Sequence, residues 1–491
     1  MKIKLIAPAR KPEWGESFWD LKTLCKLSGR KAGGAPLVLP TLAALTPPDV
    51  EVILTDENVE SIDFEEKVDL VGITGMTCLI PRSYEIADEY KKRGVPVVMG
   101  GIHASMLPEE ALQHCDSVVI GEAEEIWGQV VRDAAKKNLK KLYRAPRFPD
   151  LANSPIPRWD LLKNDKYCYF TIQTSRGCPF DCDFCSVKVF NGGGYRHKNI
   201  GQVIKEIKIL QKIEPKKLIF FTDDNLLAVP QYAKELMKEM VSLNIKTWWC
   251  QSSMNKLKDD EILDFMYKAG CRVVFVGFES ISQKSIEKMN KNFVNKVSEY
   301  KDIIGRIHSH KISVFGSFIL GSDTDDEHIF EDTAKFIDEA QVAFSMINII
   351  TPFVGSRLFE KLNAEKRIFS VDWSRYNGEF VCFKPKNFEG RDLKIKRDEL
   401  CKEIYSLSQL YSRLNSLWGK AVLTRNTIKK TNLIKLALFL KTLFSLSNNQ
   451  ERAFLTKCMF NKNNPSITNS VFIALSFYNY SLASQQKDNN K

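Results

Sequence analysis

The sequence predicts an α/β protein in three parts: a doubly wound parallel sheet, a partial barrel of six (β/α) units, and a helical extension. Two rhythms and one break point to it. Short apolar runs at residues 3–7, 50–55, 70–74, 95–99 and 117–120 alternate with helical stretches. A second alternation has apolar runs at 170–174, 217–222, 247–252, 273–278, 313–320 and 343–352. After about residue 390 the strand signal stops and a basic, Ser- and Asn-punctuated helical tail follows. The expected units are therefore 1–140, a linker at 141–165 carrying Pro146, Pro149, Pro155 and Pro157, a barrel at 166–388, and a helical region at 389–491.

In the first unit the strand runs end in Thr74-Gly75, Gly100-Gly101 and Gly121-Glu122. Ligands of open α/β sheets bind in the crevice at those carboxyl ends. In the second unit the polar residues also gather at strand ends, the catalytic face of a parallel barrel.

Composition removes several classes. At 44% hydrophobic and 27% charged, the chain is neither disordered nor a disulfide miniprotein. The net charge of +11 is spread thinly, with Lys-rich stretches such as 205–217 read as solvated faces, so no nucleic-acid partner is expected. Met1-Lys-Ile-Lys-Leu-Ile moves directly into a strand-like run without an apolar leader, which makes a cytoplasmic location the expectation. No apolar run reaches the roughly 18–20 residues of a membrane span. The stretch 433–444, interrupted by Lys435 and Lys441, suits an amphipathic helix packed on protein or lying at the inner face of a membrane.

In a reducing compartment closely spaced cysteines are metal or redox ligands more often than bridges. Cys178, Cys182 and Cys185 fall in Thr174-Ser-Arg-Gly-Cys-Pro-Phe-Asp-Cys-Asp-Phe-Cys, directly after the first barrel strand. A spacing of three then two residues lets one loop curl around a cubane, with one iron left for an exogenous ligand. A zinc site completed by His197, or a non-catalytic zinc or iron–sulfur module, is the alternative from the residues alone.

With Phe184 before the last cysteine, Cys-x3-Cys-x2-Cys resembles the signature of radical S-adenosylmethionine (radical SAM) enzymes. The resemblance implies a [4Fe–4S] cluster on Cys178, Cys182 and Cys185, S-adenosylmethionine on the open iron, Phe184 beside the adenine, and release of a 5′-deoxyadenosyl radical. It places Asp223 and Asp224 near the cofactor's amino group, although an acidic strand end equally suits an N-cap. Ser253, Glu279 and Ser280 become donors and acceptors to ribose or carboxylate, and Gly321 either approaches adenine or makes a plain turn.

A parallel α/β unit before such a barrel, with Asp56-Glu-Asn58, Gly72-Ile-Thr-Gly-Met-Thr77 and Gly100-Gly-Ile-His103, resembles the cobalamin-binding branch of that superfamily over about residues 3–385. The implied fold is a Rossmann-like cobalamin-binding-type domain followed by a TIM-like barrel. Gly75, Gly100, Gly101 and Gly121 would let a flat cofactor lie on the strand ends, with Thr74 and His103 as hydrogen-bonding groups; a structural His103 is the equal alternative. None of the six histidines sits in Asp-x-His-x-x-Gly, so cobalamin is expected without a protein histidine ligand. Val38 stands where relatives often have Gly.

The resemblance implies methylation of an unactivated carbon through methylcobalamin. The alternative is radical carbon–carbon bond formation or rearrangement with a vestigial cobalamin domain. The substrate would be a small molecule or lipid, the electron donor a flavodoxin or ferredoxin, and the basic C-terminal helices a peripheral membrane contact.

Overall fold

A computed structural model of the chain describes residues 1–15, 17–419, 449–459 and 469–486. The stretch 433–444 lies outside the described residues. Fifteen strands follow in chain order: β1 Lys2–Ala7, β2 Ala32–Gly34, β3 Glu51–Asp56, β4 Leu70–Thr74, β5 Val97–Gly100, β6 Ser117–Ile120, β7 Leu142–Arg144, β8 Tyr167–Ile172, β9 Ser175–Arg176, β10 Arg196–His197, β11 Leu218–Phe221, β12 Trp248–Ser252, β13 Cys271–Glu279, β14 Ser313–Leu320 and β15 Phe344–Ile349.

The first sheet has the order β3-β1-β4-β5-β6-β7 and is parallel throughout. Its strands read as near-continuous apolar runs because both faces are covered; Ile3, Leu5 and Ile6 of β1 are fully buried. The order reverses around β1, which puts the ligand crevice at the carboxyl ends of β1, β4 and β5. Lys4 is buried on this central strand and is tolerated because its ammonium reaches Glu66 at 2.9 Å and the Asp63 carbonyl at 2.7 Å.

The second sheet, β15-β14-β13-β12-β11-β8-β2, is also parallel, with six strands in sequence order and one added. It curls: Trp249 and Phe315 stand on β12 and β14, either side of β13, yet their ring centroids are 6.3 Å apart. Tyr169, Phe220, Trp249, Phe275, Phe315 and Phe344 form an aromatic tier low in the concave face. The same period-2 register brings the more polar Thr171, Gln173, Thr222, Gln251 and Ser317 towards the carboxyl ends. Among the described residues, four helices follow the barrel, Gly390–Ile404, Leu407–Gly419, Asn449–Met459 and Asn469–Gln486.

Two elements differ from the sequence expectation. The proline-rich stretch read as linker carries β7, which pairs with β6, and short 3-10 turns at Leu151–Asn153, Trp159–Leu161 and Asn164–Lys166. Three-residue strands are too short to show a period. The segment before residue 35 is divided, because β2 leaves the first sheet and pairs with β8 of the second. Its Ala-Gly-Gly sequence has no apolar signal, and the glycines are needed because the Tyr169 ring lies against them: a Cβ on Gly34 would stand 2.3 Å from a ring carbon. Gly34→Ala is therefore expected to lower stability by about 1–3 kcal/mol, read as a lower urea midpoint; an unchanged midpoint would mean that Tyr169 moves freely.

Candidate cofactor sites at the strand ends

The loop that carries the cysteines is bracketed by a small antiparallel pair, β9 with β10. Asp223, at the end of β11, is fully buried and holds the base of this loop. It accepts from the Thr174 amide at 3.2 Å, the Thr174 hydroxyl at 2.7 Å and the Ser175 hydroxyl. Asp224 accepts from the Gly177 amide at 2.9 Å and the Asn191 amide group at 3.1 Å. Gly177 sits at φ +89° with room for no side chain, since a Cβ would lie 2.1 Å from the Gly194 carbonyl oxygen. The far side of the loop is tied across the barrel. Arg357 donates to Asp181 at 2.6 Å and to Asp183 at 2.8 Å, and the Asn290 side chain donates to the Asp181 carbonyl at 2.8 Å.

Burial raises all three cysteine thiols, Cys182 to about 12 and Cys185 to about 11. Binding iron would release those protons. Lys291 opposes the rise at each thiol. Its ammonium pairs with Glu279, donates to the Gly277 carbonyl at 3.1 Å and lies 5.9 Å from the centre of the Phe184 ring. Glu279 adopts φ +62° at the end of β13, a conformation that costs of order 1–3 kcal/mol away from Gly and is held here by the lysine. Ser280 accepts from the Ser282 amide at 3.1 Å, and Ser253 is bonded to Asn225 at 3.1 Å and Asn255 at 2.9 Å.

Phe184 lines a cavity of about 140 Å³ with Met289, Gly321, Ser322, Ile350 and Leu358. Phe184 and Gly321 therefore meet at one small slot, whose walls also carry Asp183, Lys288, Asp323, Arg357 and Lys361.

A larger cavity of about 500 Å³ lies between the two sheets. Its walls include Thr74, Gly75, Gly100, Gly101 and Gly121 from the first sheet, and Thr171, Gln173, Arg176, Asn191 and Thr222 from the barrel. Gly101 is at φ +94° against Thr74 and Gly75, while Gly121 at φ +81° has open space where a side chain would stand. Apolar side chains from helix α2 (Val38–Leu45) and Trp127 complete the slot. Val38 lines it and stays part-exposed at 38%.

His103 does not line this cavity. It is fully buried behind the glycines, with Nε2 3.3 Å from Glu110 and its ring 4.9 Å from that of Trp373. Burial lowers its pKa against the pull of Glu110. No histidine is among the residues that line the cavity.

Sequence reasoning missed the charged seam where the sheets meet. The Glu122 side chain is 3% exposed and binds Arg176 at 2.6 Å and Arg196 at 3.0 Å, and Glu124 binds Arg176 at 2.6 Å. These partners are 52–74 residues apart, so no local pattern joins them; the one signal was Glu122 directly following Gly121. Lys291 and Arg357 were missed for the same reason.

A parallel half-barrel with three thiols on the loop after its first strand, facing a doubly wound domain with glycine strand ends, defines the class of radical S-adenosylmethionine enzymes that carry a second cofactor domain. The Radical SAM superfamily profile matches residues 172–337 and the B12 binding domain profile matches residues 35–131. The chain is 31% identical over 398 residues to bacteriochlorophyllide d C-12(1)-methyltransferase of Chlorobaculum tepidum, covering 78% of this chain and 86% of that one. It is 26% identical to hopanoid C-2 methylase of Rhodopseudomonas palustris, covering 70% and 67%. Among solved structures, the radical S-adenosylmethionine methyltransferase TsrM of Kitasatospora setae, with cobalamin and a [4Fe–4S] cluster bound, gives a TM-score of 0.59 at 16% identity over 74% of this chain and 78% of that one. The cobalamin-dependent enzyme OxsB gives 0.64 at 14% identity over 100% and 80%.

The chain belongs to the cobalamin-binding family of radical S-adenosylmethionine enzymes. Its cofactors are a [4Fe–4S] cluster, S-adenosylmethionine and cobalamin. The residues present fit them: three thiols on one loop for a cubane, and an apolar, glycine-floored slot for a flat macrocycle bound without a histidine.

A Cβ on Gly100 would meet only ordinary contacts, the nearest at 3.7 Å. Gly100→Leu is thus expected to fill the slot without straining the backbone and to weaken cobalamin binding about tenfold or more, the effect of ~1.4 kcal/mol. Absorption titration with hydroxocobalamin checks this, while iron content stays unchanged. Burial pushes Asp223 up to about 6 despite the hydrogen bonds that favour its charge. A carboxyl raised by folding stabilises the fold at low pH and loses that contribution as pH rises through its folded value. The loss is on the order of 3 kcal/mol between about pH 4 and 7. The difference in Tm between wild type and Asp223→Asn should therefore shift in favour of the variant across that window; parallel pH profiles would contradict it.

Proposed function

We propose that this enzyme methylates an unactivated carbon of an apolar small molecule or lipid, taking the methyl group from cobalamin held by the N-terminal sheet. The observation that carries this reading is the shared cavity, whose walls run from Gly75, Gly100 and Gly121 to Thr171, Gln173 and Thr222 of the barrel. Cobalamin on the strand ends of the first sheet would face the radical barrel across it. Curated relatives named for methylating bacteriochlorophyllide d and hopanoids support the same reaction type.

When bound, the cluster and S-adenosylmethionine supply a 5′-deoxyadenosyl radical for hydrogen abstraction, and cobalamin supplies the methyl group. This chain's residues do the holding. Cys178, Cys182 and Cys185 would each take one iron. Phe184 and Gly321 would flank the adenine in the 140 Å³ slot. Both oxygens of Asp223 are engaged by Thr174 and Ser175, so its role is to position the cysteine loop rather than to meet the ammonium of S-adenosylmethionine. Asp224 plays the same part for Gly177 and Asn191. Glu279, Ser280 and Ser253 stand at neighbouring strand ends as the polar groups for ribose and carboxylate. Thr74, Gly75, Gly100, Gly101 and Gly121 would carry the cobalamin, and the apolar side chains of α2 would keep water from its face. The reductant would be a small flavin or iron–sulfur protein, and the location cytoplasmic. No helix among the described residues is long and apolar enough to cross a membrane.

Anaerobic reconstitution with iron, sulfide and hydroxocobalamin tests the reading. The expected preparation is brown, retains cobalamin and releases 5′-deoxyadenosine under reductant. With acceptor present, product mass rises by one methylene; a product of unchanged carbon count would overturn the methylation. Replacing Cys178, Cys182 or Cys185 with Ala should remove iron and 5′-deoxyadenosine release while the circular dichroism spectrum is kept.

A further inference from the structure

Helix α1 (Lys22–Ser28) packs on the C-terminal helix Asn469–Gln486, on β8 and on β2. There the sulfurs of Cys25 and Cys168 stand 3.6 Å apart, and the Ser28 hydroxyl is 3.5 Å from Cys168. Cys168 precedes Cys178 by ten residues, but it stands at the start of β8, at the opposite end of the strand from the cysteine loop, and neither thiol lines the cofactor cavities. Two thiols in van der Waals contact need close by only ~1.5 Å to reach the ~2.05 Å of a disulfide.

Access is one-sided. Cys25 is buried, whereas Cys168 is half-buried and lines a cavity of about 270 Å³ at the amino-terminal end of the barrel, opposite the cluster loop. Trp19 and Trp249 form its wall, and the exposed ammonium groups of Lys216 and Lys246 stand at its edge. The surroundings of Cys168 favour its thiolate against burial: the contact with the Cys25 thiol, in which either sulfur can donate, comes first, and the Ser28 hydroxyl and the positive potential of Arg30 and Lys217 add to it. Cys25 correspondingly keeps its proton. An accessible, low-pKa thiol beside a buried resolving thiol is the arrangement that thiol–disulfide exchange requires.

We propose that Cys168 and Cys25 form a redox modification site that takes an anionic low-molecular-weight disulfide such as oxidised glutathione and converts it to two thiols. The Cys168 thiolate attacks one sulfur of the glutathione disulfide, forming a mixed disulfide and expelling one glutathione thiolate. Cys25 then gives up its proton and attacks the Cys168 sulfur, expelling the second. Two protein thiols are oxidised to one disulfide and one glutathione disulfide is reduced to two thiols, so atoms and electrons balance. The lysines at the cavity edge attract the carboxylates of the incoming reagent.

The link would tie the first barrel strand to α1. That helix is already joined to the C-terminal helix through Leu24 to Ser476 at 2.8 Å and Asn479 to Thr23 at 3.0 Å. A reversible link between two residues 143 apart in the chain restricts the unfolded state and raises the unfolding temperature.

The test is anaerobic incubation of the full-length holoenzyme with oxidised glutathione, followed by alkylation and peptide mapping without reductant. The expected result is a Cys25–Cys168 linked peptide pair, reversed by dithiothreitol, with the iron–sulfur absorbance unchanged and Tm raised. Cys25→Ser should stop at a glutathione mixed disulfide on Cys168, and Lys246→Glu should slow that adduct several-fold. Cys168 recovered as a free thiol in both wild type and Cys25→Ser would overturn the proposal. So would a link that forms only after unfolding in urea.

Discussion

The buried carboxylate of Asp223 is the contact on which the site depends. It stands at the end of β11 and receives three groups from Thr174 and Ser175, the residues that lead from β8 into the cysteine loop. The sheet fixes both strand ends in register, since Phe221 pairs with Ile172. A carboxylate one or two residues beyond that register therefore locates the loop to within a hydrogen bond's tolerance. Burying an acid in this way opposes its ionisation, and the donors around it make the arrangement tolerable. Asp224 extends the clamp to Gly177, immediately before Cys178.

The seam between the sheets works on the same principle at larger scale. Arg176 sits one residue before Gly177 and binds Glu122 and Glu124, which follow Gly121 at the end of β6. One arginine thus touches the loop of one cofactor and the strand end of the other. Removing one partner of so buried a set leaves charge without compensation, which costs far more than a surface ion pair. The relative placement of the two cofactor sites is therefore an electrostatic matter, settled by residues that touch neither iron nor cobalt in any motif.

The parts of this molecule written in the sequence are those with local causes. The strand–helix rhythm emerged because apolar runs and turn residues are neighbours in the chain, and Cys178, Cys182 and Cys185 because one loop must supply all three thiols. The glycine strand ends at Gly75, Gly100 and Gly121 were visible as turn chemistry, and all line the cavity. What was not visible depends on distance along the chain. His103 follows Gly100-Gly101 in the pattern, but its first helical turn carries it behind the crevice to Glu110 and Trp373. Lys291 meets Glu279 only because the helix and turns after β13 return to the strand end. The strand Ala32–Gly34 had no apolar residue pattern to declare it.

That strand has a consequence for how the protein can be divided. The chain begins in the first sheet with β1, crosses to the second to lay down β2 against β8, and returns through α2 and β3. The two sheets are thus sewn together by the first fifty or so residues. A fragment ending after β7 would carry α1 and β2 with nothing to pair them, leaving a strand edge and an apolar helix face open to other molecules. On the ribosome, too, the opening segment must wait for β8 to emerge before it finds its place. The cofactor module and the radical barrel match separate sequence families, yet in this chain a strand of the opening segment is built into the barrel sheet.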